Sequence, residues 1–242
     1  MISNERGREA GMIRSLHPGA GPSLAVDVTR ALRDFQLRAE FTVSRWPLVL
    51  LGPSGSGKTQ LLRVIAGLEC GGRGRVALDE EVWQGERTFV PPHRRPIGYC
   101  SQEGDLFPHL SVLENVAFPL RFRSGLSAQE RGDRALEWLE RLKVGHLAKT
   151  APSAISGGER GRVALARALA GAPRLVLADE PFAAVDQAAR RELCRQVALG
   201  ALLGLPLVWV THDPEEAEIL GEKGLRLELE NGRMRAVSGY EP

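Results

Sequence analysis

The stretch that most constrains this chain is Gly52-Pro53-Ser54-Gly55-Ser56-Gly57-Lys58-Thr59. It follows Pro47-Leu48-Val49-Leu50-Leu51, an unbroken apolar run that stops at glycine, and precedes Leu61, Leu62, Ile65, Ala66 and Leu68 at helical spacing. An apolar run without alternation fits a central parallel strand covered on both faces, so the order reads strand, glycine-rich turn, amphipathic helix. In that setting the glycines let backbone N–H groups turn inward around an anion, and the helix adds the positive end of its dipole. Lys58 can then reach outer phosphates, and the Thr59 hydroxyl can ligate Mg²⁺.

Phosphoryl transfer also needs a carboxylate at a strand end, and Leu175-Val176-Leu177-Ala178-Asp179-Glu180 supplies two. Asp179 is the candidate on the metal side. Glu180, the next residue, is placed to orient or deprotonate an attacking water. A phosphate loop and an acidic strand suit kinases, GTPases, motors and helicases equally. The segment that discriminates is Ile155-Ser156-Gly157-Gly158-Glu159, ahead of Val163, Leu165, Ala168 and Leu169. A serine and two glycines opening a helix expose unpaired N–H groups and one hydroxyl, which makes a second anion site. Ser156 and Glu159 also read as a capping box, and the two readings are compatible.

The surrounding pattern is that of an α/β fold, a mostly parallel sheet flanked by helices, with an N-terminal antiparallel β subdomain and a helical insert. Leu24, Val26, Val28, Leu37, Phe41 and Val43 alternate as half-buried antiparallel strands do. Residues 103–154 turn helical, with capping boxes at Ser111/Glu114 and Ser127/Glu130 and an apolar face of Ala135, Leu136, Leu139 and Leu142. A helix over 187–203, a strand at Leu207 to Val210, and an Asn231-Gly232 hairpin between Leu225–Leu229 and Met234–Val237 complete the pattern. Residues 1–22, polar and rich in Gly, Pro and Arg, read as a mobile tail, and 23–242 as one domain.

Composition narrows the partners. Lys+Arg total 32 against 30 Asp+Glu, a net charge of +2, too balanced for bulk electrostatic binding to nucleic acid. Cys70, Cys100 and Cys194 have neither zinc-site spacing nor disulfide density, and read as buried thiols in a reducing compartment. The uncharged stretch from Gln196 to His212 falls short of the roughly 20 residues a membrane-spanning helix needs and is broken by Gly204 and Pro206. With no secretory signal either, the chain is expected in the cytoplasm.

These residues together resemble the ATP-binding subunit of an ABC transporter. Ile155 to Glu159 stands where that family carries L-S-G-G-Q, with Ile for Leu and Glu for Gln. The resemblance spans about 24–242 and implies further assignments. Gln102 resembles the Q-loop glutamine that touches Mg²⁺ and reports nucleotide state to membrane subunits; His212 resembles the switch histidine that contacts the γ-phosphate; Asp186 resembles the D-loop aspartate at the dimer seam. It implies ATP and Mg²⁺ as ligands and a head-to-tail dimer, with an identical copy or a close paralogue. In that dimer the phosphate loop of one subunit and the signature serine of the other enclose each ATP. It further implies transmembrane permease subunits holding the chain at the inner face of the cell membrane, and a solute-binding protein. Leu106-Phe107-Pro108-His109-Leu110-Ser111-Val112 with Glu114-Asn115 is similar to the importer type, closest to the molybdate and sulfate group.

Three departures stand out. Val26-Asp27-Val28-Thr29-Arg30 contains no aromatic residue where the family stacks adenine, leaving Arg30, Phe35 or no stacking partner. Ala183-Ala184-Val185-Asp186 has alanine where serine is common. Molybdate-type relatives often continue into a small β domain that senses substrate, so regulation by that route is expected to be absent. The rival readings are a soluble ABC ATPase acting on nucleic acid or ribosomes, a transporter of another solute, and a scaffold that binds nucleotide without hydrolysing it.

Overall fold

The computed structural model describes residues 22–70, 72–198, 205–222 and 224–236. The expected tail (apart from its last residue), the end of the helix predicted over 187–203 and Val237 lie outside those residues. The described residues contain a ten-stranded sheet with strands in the order β5-β4-β1-β2-β10-β9-β3-β8-β7-β6. In chain order these are β1 (Leu24–Ala31), β2 (Gln36–Val43), β3 (Leu48–Leu51), β4 (Arg73–Leu78), β5 (Glu81–Gln84), β6 (Ile97–Cys100), β7 (Leu175–Asp179), β8 (Leu207–Thr211), β9 (Leu225–Glu230) and β10 (Arg233–Ala236). The helices are α1 (Lys58–Ala66), α2 (Val112–Ala117), α3 (Ala128–Arg141), α4 (Gly157–Ala170), α5 (Gln187–Gln196) and α6 (Pro214–Gly221).

Two kinds of strand share the sheet. β1, β2, β4 and β5 pair antiparallel, whereas β9, β3, β8, β7 and β6 run parallel. The central strands β3, β7 and β8 are buried on both sides, and their alternate residues enter two different cores. Leu48, Leu50, Leu175, Leu177, Val208 and Val210 pack with Leu61, Leu62 and Ile65 of α1. Val49, Val176, Ala178, Leu207 and Trp209 face the opposite way, against residues of α2 to α6. This is the physical content of the apolar runs: every second side chain needs a dry neighbour on each face. The half-buried strands β1 and β2 show the expected alternation, with Leu24, Val26, Val28, Leu37, Ala39, Phe41 and Val43 inward.

All three capping boxes form. Ser111, Ser127 and Ser156 each accept from the N–H of a glutamate three residues on, and that glutamate's carboxylate accepts from the serine N–H. The middle of the chain is less helical than its composition suggests. No helix occupies residues 103–110; this stretch is an irregular loop ahead of α2, and Phe118–Phe122 tightens into a 3₁₀ turn. Asn115 on α2, fully buried, holds the loop in place of helical bonds: its amide donates to the Phe107, Leu110 and Ser111 carbonyls and its Oδ1 accepts from Phe107 N–H. A buried side chain can thus satisfy backbone that periodicity assigns to a helix.

Since α1 meets the sheet through Leu61 and Leu62, Leu62→Ala should cost about 2–5 kcal/mol of unfolding free energy, read from urea denaturation. A loss below about 1 kcal/mol would mean that the core collapses around the gap.

Candidate functional site

The candidate residues gather because parallel strands present their C-terminal ends on one edge. β3 ends at Leu51, opposite Thr211 of β8; β8 pairs with β7, whose Asp179 sits opposite Val210; β6 pairs with β7 through Cys100 and Ala178. Gly52 to Thr59, Gln102, Asp179, Glu180 and His212 therefore leave adjacent strands at the same edge, the usual ligand position in such sheets. A pocket of about 840 Å³ opens there, lined by Ser54, Gly55, Gly57, Lys58, Thr59, Gln102, Glu180 and His212.

The loop is held from behind by the C-terminal hairpin. Gly232 N–H donates to the Ser56 carbonyl. Gly52, at φ +153°, lies so near Leu229 that a Cβ there would come within 2.2 Å of its carbonyl oxygen, so only glycine fits. Lys58, 4% exposed, donates through Nζ to the Gly52 and Pro53 carbonyls at 2.8 and 2.9 Å. An ammonium has three N–H donors, so one is left for a ligand. Burial pulls the Lys58 pKa down, and the nearby Glu180 and Asp179 oppose that pull.

Asp179 is almost wholly buried, 1% exposed, and accepts from the Thr59 hydroxyl. Its Oδ1 and the Ser56 Oγ are buried without a hydrogen-bond partner. Both oxygens keep spare acceptor capacity beside the glycine-rich loop, a donor set that suits a hard cation. Burial pushes the Asp179 carboxyl above its ordinary value, with Glu180 adding to the rise and Thr59 and Lys58 opposing it.

Glu180 adopts φ +46°, a conformation that ordinarily costs a non-glycine residue of order 1–3 kcal/mol and that clusters at functional sites. Its N–H donates to the Val210 carbonyl, and its Oε2 lies 2.9 Å from His212 Nδ1. A carboxylate only accepts, so Nδ1 carries the proton in this contact. His212 is half-exposed and faces the pocket.

Ser156, Gly157 and Asp186 are exposed and do not line this pocket. Ser156 caps α4 and Asp186 caps α5 by accepting from Ala189 N–H. Gly158 and Gly161 let α4 lie against the segment after Glu180: a Cβ on Gly161 would meet the Pro181 carbonyl oxygen at 2.1 Å.

The structure adds residues that no sequence motif marked. The β1–β2 turn, Arg30 to Phe35, forms one wall of the pocket, with Glu69 and Gln60 beside it. Arg30 is held by Glu69 at 2.8 Å and the Cys70 carbonyl at 2.6 Å, and Arg63 joins Glu69 from α1. Phe35 packs its ring against Gly57 and Gly232. Residues this far apart in sequence leave no local signature; only the absence of an aromatic near Arg30 drew attention to the region.

The raised Asp179 pKa has a definite sign in stability. The folded chain binds that proton more tightly than the unfolded chain, so the carboxylate costs stability as pH rises through its folded pKa, and the cost persists above it. Asp179→Asn should raise the thermal midpoint of the ligand-free chain above neutral pH, by an amount that shrinks on acidification. A lower midpoint at neutral pH would contradict this.

The profile of the ABC transporter family matches residues 39–183. The molybdenum import ATP-binding protein ModC of Methylococcus capsulatus is 44% identical over 205 residues, covering 84% of this chain and 56% of the relative. The molybdate/tungstate import ATP-binding protein WtpC of Archaeoglobus fulgidus is 41% identical over 201 residues, covering 83% of this chain and 81% of the relative. The chain thus spans little more than half the length of the ModC relatives it matches. Two solved structures of MJ0796, a bacterial ABC transporter cassette, one dimeric and one a dimeric post-hydrolysis state with ADP and Pi, each align with TM-score 0.73 and 30% identity, over 90% of this chain and 100% of theirs. With the family profile spanning more than half of the sequence, and the strand order carrying loop, acidic strand and histidine to one edge, the chain belongs to the ABC transporter family and has the fold of its cassettes.

Proposed function

We propose that this chain is an ATPase that drives solute transport through separate membrane subunits, and that the solute is a small oxyanion of the molybdate or sulfate type. One observation carries the reading: the Gly52–Thr59 loop, strained Glu180 and His212 converge on a single pocket, with buried Asp179 behind Thr59. The relatives named for molybdate import support the choice of solute.

ATP would lie with its phosphates in the loop, gripped by inward N–H groups and the remaining Lys58 donor. The orphaned Asp179 Oδ1 and Ser56 Oγ fit a Mg²⁺ site, with Thr59, Asp179 and Gln102 as its protein-side holders. When bound, the metal supplies charge neutralisation on the phosphate oxygens. Glu180 takes the proton of the attacking water, and His212 holds its carboxylate through Nδ1. The exposed Ser156, Gly157 and Asp186, outside this pocket, are positioned for the nucleotide of a second copy, a reading supported by the dimeric cassettes.

Among the described residues no helix is long and apolar enough to cross a membrane. Contact with permease subunits would use a groove of about 510 Å³ whose lining includes Tyr99, Phe107, Phe118, Phe122 and Arg167. Phe122, 78% exposed, continues a row of rings with Phe118 and Phe107 there, and contiguous apolar surface of this kind suits a protein contact. A solute-binding protein on the far side of the membrane completes this reading.

Glu180→Gln should retain ATP binding and slow turnover by roughly 10²- to 10⁴-fold, measured by phosphate release. Unchanged turnover would remove Glu180 from that role. Lys58→Ala should weaken ATP binding itself, and unaltered nucleotide affinity in a fluorescence titration would contradict the cradle. Light scattering on Glu180→Gln saturated with magnesium ATP should report a dimer; a persistent monomer overturns the shared-site reading. ATP-dependent uptake of molybdate by vesicles carrying the chain with its permease tests the solute, and co-purification with ribosomes or nucleic acid instead would select the soluble-ATPase alternative.

A further inference from the structure

Arg190, on the first turns of α5, lies outside every motif in the sequence. Its side chain is 19% exposed and its guanidinium reaches two separate loops. Nη2 donates to the Val185 carbonyl at 2.7 Å and the Ala183 carbonyl at 3.4 Å, both in the segment that runs from Glu180 to Asp186. Nη1 donates to Asp213 Oδ2 at 2.8 Å, immediately after His212. The other Asp213 oxygen, Oδ1, accepts the Glu215 and Glu216 N–H groups and so caps α6. The Arg190 backbone is itself fixed, donating to the Asp186 carbonyl. Glu216, which takes the Trp209 indole N–H, lies 3.6 Å from Arg190 Nε.

We propose that Arg190 is a positioning residue that locks the loop after β7 to the turn after β8, so that Glu180 and His212 keep their contact and move as one unit with the Ala183–Asp186 segment. The inference rests on the roles given to Glu180 and His212 above. Only a planar, multiply donating head can hold both loops at once. Lysine, a single compact charge, can serve one or the other. The two loops lead into α5 and α6, which are also joined at their first turns by Gln187 and Arg191 reaching Glu215. A displacement of the exposed Ala183–Asp186 segment is therefore transmitted to the backbone next to His212 through this side chain, which alone among the described residues joins the Ala183 and Val185 carbonyls to Asp213, while Gln187 and Arg191 reach only Glu215.

Three variants test it. Arg190→Met and Arg190→Lys remove the fork, and Asp213→Asn removes the acceptor for Arg190 while keeping an oxygen to cap α6, since asparagine caps as well as aspartate. The expected result is a kcat lower by roughly 10- to 100-fold, the scale of small misplacements of reacting groups. KM for ATP should stay within about twofold, because the phosphate loop is untouched. At one fixed pH, the ring-nitrogen resonances of His212, assigned by comparison with His212→Ala, should change in each variant as the Nδ1 contact loosens. Should Arg190→Met fail to fold, Asp213→Asn and Arg190→Lys decide. Unaltered His212 resonances in those two variants, whether kcat holds or falls together with the thermal midpoint, would reduce Arg190 to ordinary structural support and overturn the proposal. If the wild-type chain releases no phosphate from ATP, the proposed function fails instead, and the His212 resonances alone then settle whether Arg190 positions the ring.

Discussion

Double-sided burial of the parallel strands is the constraint on which the molecule depends. Because β3, β7 and β8 send alternate residues into two separate cores, none of them can slip by one residue without exchanging the contents of both. Register is thereby fixed to the residue, and with it the height at which Gly52, Asp179 and His212 leave the sheet. The chemistry at the edge inherits its precision from a core that touches no ligand.

The edge itself is built against local preference. Asp179 is dehydrated, Lys58 is buried beneath its own loop, and Glu180 is left-handed. Each feature weakens the ligand-free fold and is tolerable because the surrounding strands and helices are well packed. Sites that bind multiply charged phosphate need such groups held in advance, since ordering them at the moment of binding would subtract from affinity.

What the sequence disclosed follows from how local each signal is. The glycine-rich loop between β3 and α1, the capping boxes and the Asn231-Gly232 hairpin are each set by a handful of consecutive residues, and each forms where expected. The loop over 103–110 was hidden because its backbone is satisfied by Asn115 and by Arg167, which donates to the Gly104 and Asp105 carbonyls from α4. Arg30 with Glu69 and Arg190 with Asp213 were hidden for the same reason: 39 and 23 residues separate the partners. Gln102, His212 and Asp186 could be singled out only through family resemblance, since an isolated glutamine, histidine or aspartate carries no spacing signal of its own.

The hairpin behind the phosphate loop bears on how the chain is made. Gly52 and Ser56 emerge early in synthesis, yet the Leu229 and Gly232 backbone that backs them belongs to the last described strands. The loop is therefore unsupported until residues 229–232 have left the ribosome, because that pairing spans roughly 180 residues. Until the hairpin is made, the loop lacks the backbone that shapes it, and a chain truncated before the hairpin would keep the motif but lose that backing.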